Sequence, residues 1–250
     1  MKRIVSTSIF ALLLTATVSA QAPATPTPPP ASTPAPTIDQ IFDKYVAALG
    51  GAAALEKLNS RVSKGTFEVP DQGAAGSIEI YAKAPNATLT VIDIQGFGTI
   101  RNAWDGSRGW TDNPQAGLND YTPEQVANAK LSSFYLPIKF REFYPKMSVK
   151  GSDKVANRDV WVVEAAPAEG SPRLFSFDAE NGLLVRAVSE RDSPAGPIKI
   201  ETYFSNYKDV DGVKLPFTIR QVNPQFSSVV TLSDVKHNVP IDDAKFKKPM

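Results

Sequence analysis

From Ile38 to Leu49 the apolar residues Ile38, Ile41, Phe42, Tyr45, Val46 and Leu49 recur at intervals of three and four, which puts them on one helical face. Thr37, with Gln40 three positions on, makes a capping box at the start, and Gly50-Gly51 supplies a stop. A second short helix is expected over 52–58, with Ala54, Leu55 and Leu58 as its apolar side. From Arg61 the period changes to two. Ser77 to Lys83 alternates cleanly, as a strand with one buried face does. Further strands are expected over 61–69, 87–95, 98–104, 108–112, 147–155, 159–166, 172–178, 183–191, 198–208, 214–222 and 226–236. Asp105-Gly106, Asn157-Arg158, Asn181-Gly182 and Asp211-Gly212 provide turns, so neighbouring strands should pair as antiparallel hairpins.

One stretch breaks this series. Thr122-Pro123-Glu124-Gln125 reads as a cap followed by a first-turn proline, predicting a helix to about Ser132. A second short helix is expected over Ile138–Tyr144, between Pro137 and Pro145. Together they make an excursion of about 35 residues between strands, too long for a hairpin loop and of a kind that covers something. The fold class is mainly β with α: one large curved antiparallel sheet of about eleven strands with helices against its concave side.

Ahead of this domain, Lys2 and Arg3 precede an apolar run from Ile4 to Val18 that ends in Val18-Ser19-Ala20. This is the pattern of a secretory signal peptide over residues 1–20, cut after Ala20. A retained anchor is the rival reading, but Ser6, Thr7, Ser8, Thr15 and Thr17 interrupt a run already short of the roughly 20 apolar residues a span needs. No cysteine follows the cut, so no lipid attachment is expected there. Residues 21–36 are rich in proline and read as a disordered linker. The domain proper is expected over 37–250.

The chain has 250 residues, with 27 basic against 26 acidic side chains. No lysine- or arginine-rich face stands out, so nucleic acid is not an expected partner. The absence of cysteine excludes disulfides, thiolate zinc, iron–sulfur clusters and a cysteine nucleophile. The single histidine, His237, excludes a multi-histidine metal site.

Three stretches resemble the outer-membrane lipoprotein-sorting carriers of the LolA/LolB type. Lys83-Ala84-Pro85-Asn86 is similar to the K-x-P-N that closes an early strand in that family. Asp105-Gly106-Ser107-Arg108-Gly109-Trp110-Thr111-Asp112-Asn113-Pro114 is similar to its D-G-x-x-x-W-x-x-N-P hairpin, and Ile241 to Phe246 to its C-terminal D-x-x-K-F segment. The resemblance implies an open, incomplete antiparallel β-barrel around an apolar cavity, plugged and roofed by helix 38–49 and the 122–144 excursion. It also implies acyl chains or acylated lipoproteins as cargo, envelope loading and acceptor proteins as partners, and no cofactor. In the family's periplasmic carrier an arginine between the lysine and proline of K-x-P-N latches the lid; here that position is Ala84. Lid control must therefore be absent or fall to another residue.

Candidate chemistry is sparse. His237 lacks a G-x-S-x-G nucleophile elbow or a serine at a helix start, so a partly exposed, hydrogen-bonding histidine is the preferred reading. Asp209-Val210-Asp211-Gly212 echoes the start of a calcium loop but lacks the later ligands, and reads as a hairpin turn. Glu190 and Asp192 are two apart on a strand, as a glycosidase pair could be, on what is more simply a solvated face. Asp242-Asp243 reads as the start of a helical turn.

The aromatic residues are the richer set. Trp104, Trp110, Phe134, Tyr135, Phe140, Phe143, Trp161, Phe175 and Phe177 are the candidates to line a cavity or its lid. Trp161 and Phe177 also fit a core, and Trp104 and Trp110, flanking a tight turn, a cavity mouth. Alternation along a strand does not say which face is inside. The expected function is periplasmic, non-enzymatic binding of acyl chains or other hydrophobic ligands by a monomer. The alternatives are an envelope interaction module with a self-filled barrel and, last, an envelope hydrolase using His237.

Overall fold

The computed structural model describes residues 35–191 and 196–249. The expected signal peptide, nearly all of the linker, and Asp192 lie outside the described residues.

The capping box forms as expected. The Thr37 N–H donates to Gln40 Oε1 at 2.8 Å, and the Gln40 N–H to Thr37 Oγ1 at 3.2 Å, opening α1 (Ile38–Ala48). Its apolar stripe buries Ile41, Phe42 and Tyr45. Gly50 ends the turn with φ +115°, and a Cβ there would lie 2.1 Å from the Gly212 carbonyl oxygen. Both the backbone conformation and the close approach require glycine. The short α2 (Ala52–Glu56) follows and buries Leu55.

Six strands come next: β1 (Ser60–Val69), β2 (Ala74–Lys83), β3 (Ala87–Ile94), β4 (Gly98–Trp104), β5 (Gly109–Asn113) and β6 (Gly117–Asp120). Helices α3 (Pro123–Lys130) and α4 (Leu136–Phe143) make the excursion. Seven more strands complete the sheet: β7 (Lys146–Val155), β8 (Arg158–Ala166), β9 (Arg173–Asp178), β10 (Leu184–Arg191), β11 (Ile198–Val210), β12 (Val213–Val222) and β13 (Ser227–His237). The described residues thus hold thirteen strands rather than about eleven. The strand absent from the sequence reading is β6, whose four residues are all exposed and carry no alternation. One turn also sits a residue earlier than expected. Ala156 and Asn157 take the two left-handed positions, so Val155 pairs with Arg158.

All thirteen strands form one antiparallel sheet, in the order β6-β5-β4-β3-β2-β1-β13-β12-β11-β10-β9-β8-β7. The first and last strands meet in mid-sheet, with Arg61 opposite His237. The free edges are β6 and β7, the two strands flanking the helical excursion. The sheet is therefore open, and α3 and α4 lie on the stretch of chain that joins one edge strand to the other.

The main core gathers α1, α2 and α4 against β8 and β9. Phe42, Phe140, Tyr144, Phe175 and Phe177 meet there, with centroids 4.5 Å apart for Phe42–Phe140 and 4.9 Å for Phe140–Phe175. A separate cluster on β3 to β5 is covered by the C-terminal segment, where Ile241 and Phe246 pack on Leu89, Ala103 and Trp110. Lys83 ties that segment down through Asp243 at 2.6 Å and the Ile241 carbonyl at 3.0 Å. The Trp110 Nε1–H donates to the Phe246 carbonyl at 2.9 Å. The three family-like stretches thus converge on one clasp that holds the chain's end to the sheet.

Candidate functional site

Helices α3 and α4 are held very differently. α4 drives Phe140 into the main core, and Arg141 pairs with Asp39 of α1. α3 buries none of its residues, although Thr122 and Gln125 build a capping box of the same kind as that of α1. Two large cavities flank α3. One, of about 590 Å³, lies between α3, α4 and residues 167–169 and is lined by Val126, Leu131, Phe143 and Pro167, with Lys130, Glu142 and Glu169. The other, of about 700 Å³, separates α3 from β3 and β4 on one side and β10 to β12 on the other. Trp104, Ile198 and Ile200 share its wall with Gln125, Asn128, Arg191, Gln221 and Gln225. A smaller cavity of about 120 Å³ lies under Phe134 and Pro137, among Leu49, Leu55, Leu58 and Leu215.

The expected site residues divide among these places. Trp104 lines the polar-walled cavity, stacked on Tyr121 with centroids 6.4 Å apart, and its buried Nε1–H has no protein partner. Gly109 makes room for that arrangement, because a Cβ there would be 2.1 Å from the Tyr121 ring, and burial raises the Tyr121 pKa. Phe143 lines the apolar cavity and Phe134 the small one. The Tyr135 hydroxyl donates to the Leu58 carbonyl at 3.0 Å. Phe140, Phe175 and Phe177 stand in the core, with Trp161 packed against it. Trp110 pairs in register with Ala103, so it leaves the sheet on the face opposite to Trp104 and lies under the C-terminal segment. The two tryptophans do not share a cavity mouth.

The excursion is tied to the segment that carries Ala84. The Pro85 carbonyl accepts the Phe134 N–H at 2.9 Å and the Ser133 hydroxyl at 3.3 Å, and the Arg61 guanidinium lies 5.6 Å from the Phe134 ring centroid. Backbone and Arg61 thus contact the α3–α4 loop, where Ala84 offers no side-chain donor. Sequence reading missed Arg61, Tyr121, Gln125, Asn128, Gln221 and Gln225. Only the capping role of Gln125 had a local signal.

His237 departs from expectation. Its side chain is only 1% exposed, because it shares the interior face with Arg61. Nδ1 lies 3.2 Å from Asp211 Oδ2, while Nε2 is buried with no partner. No serine meets Nε2 among the described residues, so the hydrogen bond that a hydrolase base needs is not assembled. Burial lowers the His237 pKa, Asp211 opposes that, and Arg61 adds to it. Asp209-Val210-Asp211-Gly212 is the expected hairpin turn, with Asp211 and Gly212 left-handed and Asp209 accepting the Gly212 N–H at 3.0 Å. No cluster of metal-ligating side chains occurs among the described residues, and no helix there is long and apolar enough to cross a membrane.

No family model and no curated protein matches this sequence. Solved structures do match. A DUF1329 family protein from Desulfovibrio piger is 15% identical with a TM-score of 0.59, covering 84% of this chain and 97% of that one. A LolA superfamily protein from Nitrosomonas europaea is 18% identical with a TM-score of 0.55, covering 86% of this chain and 99% of the other. An outer membrane lipoprotein-sorting protein domain from Vibrio parahaemolyticus is 14% identical with a TM-score of 0.51, covering 82% and 97%. The open thirteen-stranded sheet with its bridging helices is therefore the fold seen in LolA superfamily and lipoprotein-sorting domain structures.

Proposed function

We propose that the protein is a non-enzymatic, monomeric binder of acyl chains or other hydrophobic ligands in the periplasm, where it sequesters and passes on lipid or acylated-lipoprotein cargo. The observation that carries this reading is α3: a bridging helix with no buried residue, flanked by cavities of about 590 and 700 Å³. Both volumes fall in the roughly 300–1,000 Å³ range typical of ligand sites. Displacing such a helix costs little buried area, while each methylene taken from water contributes about 0.8 kcal/mol. The similar folds include a lipoprotein-sorting domain, which supports the cargo class. Trp104, Phe134 and Phe143 are the site aromatics in this reading. Residues 1–20 serve as a cleaved signal and 21–36 as a linker ahead of the binding domain 37–250, and loading and acceptor proteins of the envelope are the partners.

Native mass spectrometry of the purified protein, with solvent extraction and lipid analysis, tests the proposal. Co-purifying acyl species that added fatty acid displaces are the expected result. A clean protein mass together with no binding of fluorescent fatty acids overturns it. One observation favours a second reading, that of an interaction module: the end of the sheet under α1 and α4 is filled by the protein's own Phe42, Phe140, Phe175 and Phe177. That reading predicts the clean mass.

A further inference from the structure

The small cavity under the α3–α4 loop holds a charge that the protein leaves unpaired. Arg61 lines it, and among the described residues its guanidinium makes no hydrogen bond or ion pair; it lies against the Phe134 ring and acts on the His237 ring by repulsion. Burial lowers its pKa, and no carboxylate opposes that shift. Tyr45 lines the same cavity, its hydroxyl has no hydrogen-bond partner, and burial raises its pKa. Lys214 stands in the wall as a second cation, and no aspartate or glutamate lines the cavity. His237, opposite Arg61 in the β1–β13 register, adds no negative charge, and its neighbour Asp211 pairs with it from a position 66% exposed to solvent.

Arg61 is half-buried, and a cation partly withdrawn from water with no counter-ion is unfavourable; unlike lysine, arginine does not escape by losing its proton. Its fork of donors matches a carboxylate or phosphate. The rest of the wall is apolar, with Leu49, Leu55, Leu58, Leu184 and Leu215. A site with cationic and hydroxyl donors among leucines is complementary to one end of an amphiphile. We infer that Arg61, with the Tyr45 hydroxyl as second donor, receives the anionic head of a single-chain lipid. The α3–α4 loop roofs the cavity and moves to admit it. This inference rests on the reading of the protein as a hydrophobic-ligand binder and specifies the ligand's head.

Binding of dodecanoate, dodecyl phosphate and dodecanol to the lipid-free protein, measured by calorimetry, tests it. At least one anion should bind ~10-fold or more tightly than the alcohol, as a charge-assisted bond in a buried site implies. The stronger of the two anions identifies the head as carboxylate or phosphate. Arg61→Met should abolish the preference, so that the anions bind no more tightly than the alcohol, and Arg61→Lys should retain part of it. Equal affinity of the natural protein for alcohol and both anions, which needs no variant to fold, overturns the inference but leaves the hydrophobic-binder reading standing. So does a preference that survives in Arg61→Met. Failure of all three ligands to bind removes the underlying reading and the inference with it.

Discussion

Helices α1 and α3 begin alike and end up in opposite situations. Each opens on a threonine whose hydroxyl and backbone N–H close a reciprocal capping box with a glutamine three residues on. α1 then buries Ile41, Phe42 and Tyr45, and its Leu49 carbonyl accepts the Lys214 N–H at 2.9 Å. α3 buries nothing and has cavities along its flanks. A cap determines where a helix starts, but the packed face determines what it costs to move the helix. One end of the sheet is therefore a filled core, and the other carries a helix with no buried residue.

The sharpest way to break this comparison is to truncate a packed residue on each helix. Phe42→Ala empties the aromatic cluster and should lower the unfolding free energy by ~3–5 kcal/mol, read from urea unfolding. Val126→Ala on α3 should change it by less than ~0.5 kcal/mol. Equal costs would mean that α3 is as much part of the core as α1.

Next in size is the stop of α1. Gly50→Ala places a Cβ against the Gly212 carbonyl at a left-handed backbone position, and should cost ~1–3 kcal/mol by the same measurement. Smaller effects come from the caps. Thr37→Ala and Thr122→Ala each remove a bond worth ~1 kcal/mol. For Thr37→Ala the loss should appear in global unfolding. For Thr122→Ala it should appear only as faster amide exchange within 123–130, because that segment opens locally. Added fatty acid should slow the same exchange.

The smallest effect lies at the strand junction between the two ends. The His237 pKa is lowered in the folded protein, so between the ordinary histidine value of ~6.5 and that lowered value the unfolded chain binds more protons. Stability should therefore fall as pH drops below ~6.5, and His237→Gln should weaken that decline. Urea midpoints at pH values on either side of ~6.5, compared between natural protein and variant, check this. Identical pH dependence would show that His237 contributes none of it.

Much of the fold was legible in residues whose partners are close in sequence. The Thr37–Gln40 box, the stripe of α1, the two-residue period of β2 and the Asp211-Gly212 turn need only their neighbours. The family-like stretches at Lys83, Trp110 and Phe246 were legible too, and the structure joins them in one clasp on the C-terminal segment. β6 was not legible, because an exposed edge strand has no buried face to impose alternation. Nor was Arg61, an unremarkable strand residue until folding sets it beside Tyr45 and Phe134.

The sequence by itself determined the element types, most of their ends and the antiparallel meander, since caps, turns and periodicity act over a few residues. Only the tertiary structure decided which strands became free edges, which aromatics filled the core, and that a guanidinium faced a cavity without a counter-ion. Those outcomes depend on residues as far apart as Tyr45, Arg61, Phe134 and Lys214 meeting in space. Burial and charge compensation are properties of that meeting, and no local pattern encodes them.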